Sequence, residues 1–302
     1  MKKFKGAANF AAGVVFTILI LVVLAFNEGK NILNIWSAPD IPDKLSFAGE
    51  KVPLERWDVK EKFDREFLLN YYSQGSILYL LKLSNRNFPI LSARLKANGI
   101  PDDFKYLCIA ESMMQSWAVS KSGAVGYWQF MPGTAPGYGL TVNEQVDLRK
   151  DLERSTDAAA QYLKQAYEKF GSWTAAAASY NCGMGGYSAQ AQFQRTNNYF
   201  DLLLPEETNK YIFRILSFKY LLENAKELGF NVPDEDKYQP IATREFQVTA
   251  PIPDLAEFAI SQGTNYKVLR TLNPWIKGRS LTTNAGKNYV ILLPTKTSEP
   301  EP

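Results

Sequence analysis

Glu111 is the residue whose type and setting point most directly to chemistry. Phe104, Leu107, Cys108, Glu111 and Met114 recur at three- and four-residue spacing, so a helix places them on one face. That face is apolar apart from Glu111. A carboxylate there is poorly solvated when charged, so its pKa rises and it can hold a proton near neutral pH. No Asp or Glu occurs from Ser112 to Asn143, and none between Glu168 and Asp201, so the neighbouring sequence offers no second carboxylate. The chemistry open to such a group is proton transfer, as general acid or general base.

The remaining composition narrows the alternatives. The 302 residues contain no histidine, which removes Ser-His-Asp and Cys-His triads and any His-based zinc site. Cys108 and Cys182 are too few for a thiolate metal centre, so neither metal nor cofactor is expected. In an oxidising compartment the two thiols can pair, and the reading leans toward a disulfide; the alternative is two small buried hydrophobes. A net charge of +3, with no basic stripe interleaved with aromatics, gives no reason to expect nucleic acid. With 46% hydrophobic and 22% charged residues the chain is globular, and long enough for one large domain or two modest ones.

Several elements must position Glu111. Pro101, Asp102 and Asp103 read as the first turn of its helix. Supporting helices are predicted from Asp58 onward, with a new one opening at Phe88-Pro89 and closing at Asn98-Gly99. After Met114, Ser120-Lys121-Ser122-Gly123-Ala124-Val125-Gly126 has the small residues of a tight loop. Tyr127, Trp128, Phe130 and Met131 follow, with Gln129 among them. Such a cluster beside a lone carboxyl suits a sugar-binding cleft, or else it is simply core. Ser155 and Ser172 are expected as N-caps of two further helices, and residues 207–228 are expected to form a long one with Tyr211, Ile215, Phe218 and Leu222 on one face.

The ends of the chain differ from this body. Lys2, Lys3 and Lys5 precede an uncharged stretch from Gly6 to Phe26, the pattern of an export signal or an uncleaved inner-membrane anchor. Its length of about 20 residues suffices to span a bilayer, and the rest of the chain is expected outside the cytoplasm, in the cell envelope. The domain reading is residues 1–26 signal or anchor, 27–57 linker, 58–230 catalytic domain, 231–242 linker, 243–295 a small strand–helix–helix–strand module, and 296–302 tail.

Ala110-Glu111-Ser112, Ser120 with Gly123-Ala124 and Gly126, Trp128-Gln129-Phe130-Met131-Pro132, Thr134-Ala135, Tyr138-Gly139-Leu140 and Ser179-Tyr180-Asn181-Cys182-Gly183 together resemble the soluble-lytic-transglycosylase family, in its membrane-bound murein transglycosylase D type. The resemblance covers roughly residues 95–225. It implies a mainly α architecture: a lysozyme-like helical catalytic domain acting on peptidoglycan glycan strands, with Glu111 as sole acid and base. By position it implies substrate contacts from Ser120 and Gln129, a lining of Met131 and Tyr162, and support from Tyr180, Asn181 and Tyr211. The tail resembles a LysM peptidoglycan-binding module through Leu272-Asn273-Pro274 and Tyr289-Val290-Ile291-Leu292-Leu293-Pro294. The implied reaction leaves 1,6-anhydro-N-acetylmuramoyl ends. A hydrolytic muramidase of the same fold, drawing on Glu144, Asp147 or Asp151, and a catalytically silent wall-binding protein are the competing readings.

Overall fold

Helix α3, Phe104–Ser112, carries Glu111 and is apolar nearly all round: Phe104, Tyr106, Leu107, Cys108, Ile109 and Ser112 are buried. A helix of that kind must lie inside others. In the computed structural model, which describes residues 38–282 and 289–295 together with Val14 and Thr17, α3 packs between α2 (Gln74–Ala97) and α6 (Glu206–Glu223). Helix α1 (Trp57–Tyr71) lies against α6, and α4 (Leu152–Phe170) joins α2 to α5 (Trp173–Gln194). Most of the described chain is helical, and from Ile41 onward it forms one compact unit.

Pro89 does not open a helix; α2 runs unbroken through it. An internal proline costs about 3 kcal/mol. On its C-terminal side Leu91 and Leu95 are fully buried, and each such side chain returns about 2 kcal/mol. Packing therefore carries the helix past the residue that would end it in isolation. The turn before α3 also departs from expectation. The helix begins after Asp103, whose carboxylate instead accepts from the Ala48 N–H at 2.7 Å and from Lys219 Nζ at 2.6 Å.

Both segments read as linkers are partly built into the fold. Within 27–57, β1 (Ser46–Phe47) and β2 (Glu50–Lys51) form an antiparallel hairpin. Phe47 is fully buried, its ring edge-on to Phe104 at 5.1 Å. The Glu50 carboxylate accepts from the N–H groups of Trp173 (2.6 Å) and Thr174 (2.9 Å), serving the positive end of α5. Within 231–242, Tyr238 N–H donates to the Lys82 carbonyl at 3.1 Å and Arg86 Nε to that of Gln239 at 3.0 Å, which lays this stretch along α2.

The C-terminal module is β3 (Thr243–Val248), α7 (Leu255–Ser261), α8 (Tyr266–Leu272) and β4 (Tyr289–Pro294), with β3 and β4 antiparallel from Thr243↔Pro294 to Val248↔Tyr289. Asp254 caps α7 through the N–H groups of Ala256 and Glu257. Asn273, fully buried, donates to the carbonyls of Leu269 (2.8 Å) and Leu292 (2.7 Å) and accepts from Leu292 N–H (2.8 Å). One amide thus fastens β4 to the end of α8. Among the described residues no helix is long and apolar enough to cross a membrane; the stretch from Gly6 to Phe26 lies outside them, Val14 and Thr17 apart.

Candidate active site

Glu111 sits in the last turn of α3, which stops because Met113 and then Met114 take positive φ (53° and 57°). The residue as a whole is half-buried, and protein crowds its carboxyl group. Desolvation pushes its pKa up to about 7, against the opposing pull of a hydrogen bond from Tyr211 and the charge of Arg214, while Glu207 pushes it further up. The Tyr211 hydroxyl donates to Oε1 of Glu111. Burial and the adjacent glutamate hold that phenol far above its usual pKa, so it remains a donor at any working pH.

The segment after α3 folds back as a closed loop over residues 118–130. Ser112 Oγ donates to the Tyr127 carbonyl at 2.7 Å, tying the helix end to the far side of the loop. Val125 bridges both Val119 and Phe130, and Ser120 Oγ accepts from Ala124 N–H at 3.0 Å. Gln129 holds φ of +50°, a costly conformation for a residue with a side chain. Its amide Nε2 donates inward to the carbonyls of Ala118 (3.1 Å) and Gly126 (2.9 Å). Gly126 must be glycine: at φ +86° a Cβ would stand 2.0 Å from the Arg149 carbonyl oxygen.

Around this loop runs a series of rings. Tyr180 donates to the Trp128 carbonyl at 2.8 Å and meets the rings of Trp128, Phe130 and Tyr162 edge-on at 6.4, 6.1 and 5.1 Å. Tyr162 donates to the Ser179 carbonyl at 2.7 Å, and Tyr138 leans on both Phe130 and Tyr162. Trp128 is 0% exposed with its indole N–H on Thr156, and Phe130 is 4% exposed. For those two rings the interior reading holds; the partly exposed rings are Tyr138, Tyr162 and Tyr180.

Residues 88–201 match the transglycosylase SLT domain profile, and residues 244–297 match that of the soluble lytic transglycosylase C-terminal LysM-like domain. The chain carries a transglycosylase SLT domain. Two curated relatives, the membrane-bound lytic murein transglycosylase D of two Escherichia coli strains, are each 28% identical over 207 residues, 67% of this chain and 45% of theirs. The chain thus spans under half the length of these relatives. An inactive mutant of lytic transglycosylase Slt from Pseudomonas aeruginosa aligns with a TM-score of 0.39 and 24% identity, over 50% of this chain and 26% of that one.

The expected site residues fall into three groups. Glu111, Tyr211 and Tyr180 come together, with Tyr162 stacked edge-on behind Tyr180. Ser120 and Met131 stand on the exposed part of the 118–131 segment, Met131 at 40% exposure. Gln129 and Asn181 spend polar atoms inside the protein: Asn181 Oδ1 accepts from Thr208 Oγ1 at 2.8 Å, fastening α5 to α6. Two residues later Gly183 leaves the helical region at φ 77°, ψ 148°, which bends α5 just past Asn181.

The thiols are not paired. Cys108 and Cys182 are both free, the first donating to the Tyr127 carbonyl and the second to that of Ala178. The acids of the hydrolytic reading are engaged or peripheral. Asp147 is locked to Arg149, Asp151 caps α4 through Arg154 N–H at 2.9 Å, and Glu144 is exposed. The acid that bears on Glu111 is Glu207, paired with Arg214 at 2.7 Å. Glu207, Tyr211 and Arg214 stand at i, i+4 and i+7 of α6, a helical stripe that shows where to look once Tyr211 is placed. Among the described residues no group of acids and thiols is arranged to hold a metal.

Proposed function

We propose that the protein is a peptidoglycan lytic transglycosylase in which Glu111 serves first as acid and then as base. The observation that carries this reading is a desolvated glutamate, protonated up to about pH 7 and held by Tyr211, whose acidic neighbour Glu207 is already paired with Arg214. Glycosidases that use water as nucleophile draw on two carboxylates, one as acid and one as base or nucleophile. A single carboxylate suffices when the substrate supplies its own nucleophile. Protonated Glu111 gives its proton to the oxygen between N-acetylmuramic acid and N-acetylglucosamine, and the C1–O bond breaks. The ionised Glu111 then takes the proton from the C6 hydroxyl of the muramoyl residue as that oxygen bonds to C1. The glutamate ends protonated as it began, the product carries a 1,6-anhydro ring, and no water is consumed.

The surrounding residues fit parts of this reaction. Tyr211 donates to the carboxylate and steadies its ionised form between the two proton transfers, a preorganised contact worth about 3 kcal/mol by analogy with oxyanion holes. Tyr138, Tyr162 and Tyr180, none of them wholly buried, offer aromatic surface to a sugar, and Ser120 and Met131 line the approach. The LysM-like module adds a contact to N-acetylglucosamine, and the stretch from Gly6 to Phe26 keeps the protein at the inner membrane, facing the periplasm.

Purified sacculi digested with the protein and with Glu111→Gln test the reading. Anhydro ends released by the wild type alone support it. Reducing ends would assign a hydrolase instead, and equal silence from both would assign a wall-binding protein without catalysis.

A further inference from the structure

We propose that the C-terminal module, besides any contact it makes with glycan, positions the loop of the active site through Asp147 and Arg149. The inference rests on the transglycosylase reading for its kinetic consequence, but not for its structural one.

The joint between module and catalytic domain is bonded through backbone and side chains and is directional. Val146 and Ile276 pair as an antiparallel bridge, both buried, with Ile276 at 0% exposure. On either side Asp147 N–H donates to the Trp275 carbonyl and Lys277 N–H to that of Gln145, both at 2.7 Å. Thr282 Oγ1 closes on Gln145 Oε1 at 2.6 Å, and Lys277 Nζ on the Asn143 carbonyl at 2.7 Å. The guanidinium of Arg154, from α4, lies over the stacked rings of Trp275 and Tyr289. A module serving only as a tether would need none of these contacts.

From this joint a short path leads to the catalytic loop. The residue whose backbone the module holds, Asp147, grips Arg149 with both carboxylate oxygens, at 2.8 Å to Nε and 2.9 Å to Nη2. Both side chains are almost wholly buried, so the pair is rigid and little screened. Arg149 then donates Nη1 to the Phe130 carbonyl at 3.1 Å, while its own carbonyl presses against Gly126. One arginine therefore clamps both ends of the Gly126–Phe130 turn. Inside that turn Gln129 holds its positive φ, a strained conformation that persists only where the surroundings over-determine it. The same turn offers the Tyr127 carbonyl to Ser112, the residue after Glu111. Module, Asp147, Arg149, loop and the end of α3 form one connected chain of contacts.

The test uses the full chain carrying Ile276→Glu, which places a charge in the joint and should release the module. Release is read by limited proteolysis within residues 231–242. Amide exchange over residues 118–130 should then quicken at least ~10-fold, as expected when a local opening free energy drops. Turnover of soluble glycan fragments too short to reach the module should fall ~10-fold in kcat with KM little changed. Asp147→Asn is the second variant: the module stays docked through the backbone, yet exchange in 118–130 should still quicken. A released module with native protection of 118–130 and undiminished turnover of short fragments would overturn the proposal, as would native protection in Asp147→Asn. A wild type that turns over no fragment would refute the transglycosylase reading alone, since the exchange measurement still decides this one.

Discussion

The Tyr211 hydroxyl reaches Oε1 of Glu111 across 100 residues of sequence, joining the end of α3 to the second turn of α6. Two effects meet at this contact. Burial favours the neutral acid, whereas the hydrogen bond and the Arg214 charge favour the carboxylate. Their balance leaves the group near pH 7, where a residue that must give and then recover a proton works best.

Glu111→Gln should abolish release of anhydro ends while raising stability at neutral pH. In the folded chain Glu111 keeps its proton up to about pH 7, whereas an unfolded chain releases it near the ordinary glutamate value of 4.5. Between those values the folded state binds more protons, so stability falls as pH rises, by about 3 kcal/mol at neutrality. Urea midpoints of wild type and variant at pH 4.5 and 7.5 check this. An identical pH dependence in the two proteins would contradict it.

Tyr211→Phe removes a donor that favours the ionised form. The alkaline limb of kcat/KM should move to higher pH, and the maximal rate should drop ~10²-fold as the carboxylate loses its fixed orientation. A pH–rate profile separates the two effects.

Glu207 and Arg214 act on Glu111 with opposite signs. Glu207→Gln leaves Arg214 to act with less opposition, so the alkaline limb should shift to lower pH; Arg214→Gln should shift it to higher pH. Shifts in the same direction would show that this stripe of α6 does not tune the acid.

Gly126→Ala should be among the most damaging small substitutions in the chain. Positive φ and a 2.0 Å encounter with the Arg149 carbonyl together require the turn to move. A loss of about 3 kcal/mol or more is expected, read as a lower Tm and as quicker exchange across residues 118–130.

Much of the site was legible in the order of residues, for a physical reason. Glu111 stood out because a single charge on an apolar helical face is visible to periodicity alone. The loop announced itself through small residues, and the C-terminal module through its two strands flanking two short helices. What stayed hidden depends on partners remote in sequence. Trp128 reads equally as a sugar platform or as core until Thr156 Oγ1 is seen accepting its indole N–H. Pro89 reads as a boundary until Leu91 and Leu95 are found in the core. Glu207 and Arg214 carry no sign of bearing on Glu111 until Tyr211 is placed against α3. Composition alone marks residues 27–57 as a tether, because the value of Glu50 lies in helix ends more than 120 positions away.

The β1–β2 hairpin sets a practical boundary. Trimming the protein back to Ala48 would discard Ser46 and Phe47, take one strand from the pair and open a hole beside Phe104. Trimming to the start of α1 would also strip the four N–H and hydroxyl donors of Ser172, Trp173 and Thr174 of their common acceptor. A truncated form intended for crystallisation or assay should therefore start no later than Ile41, so that the amino-terminal clasp travels with the helices it closes.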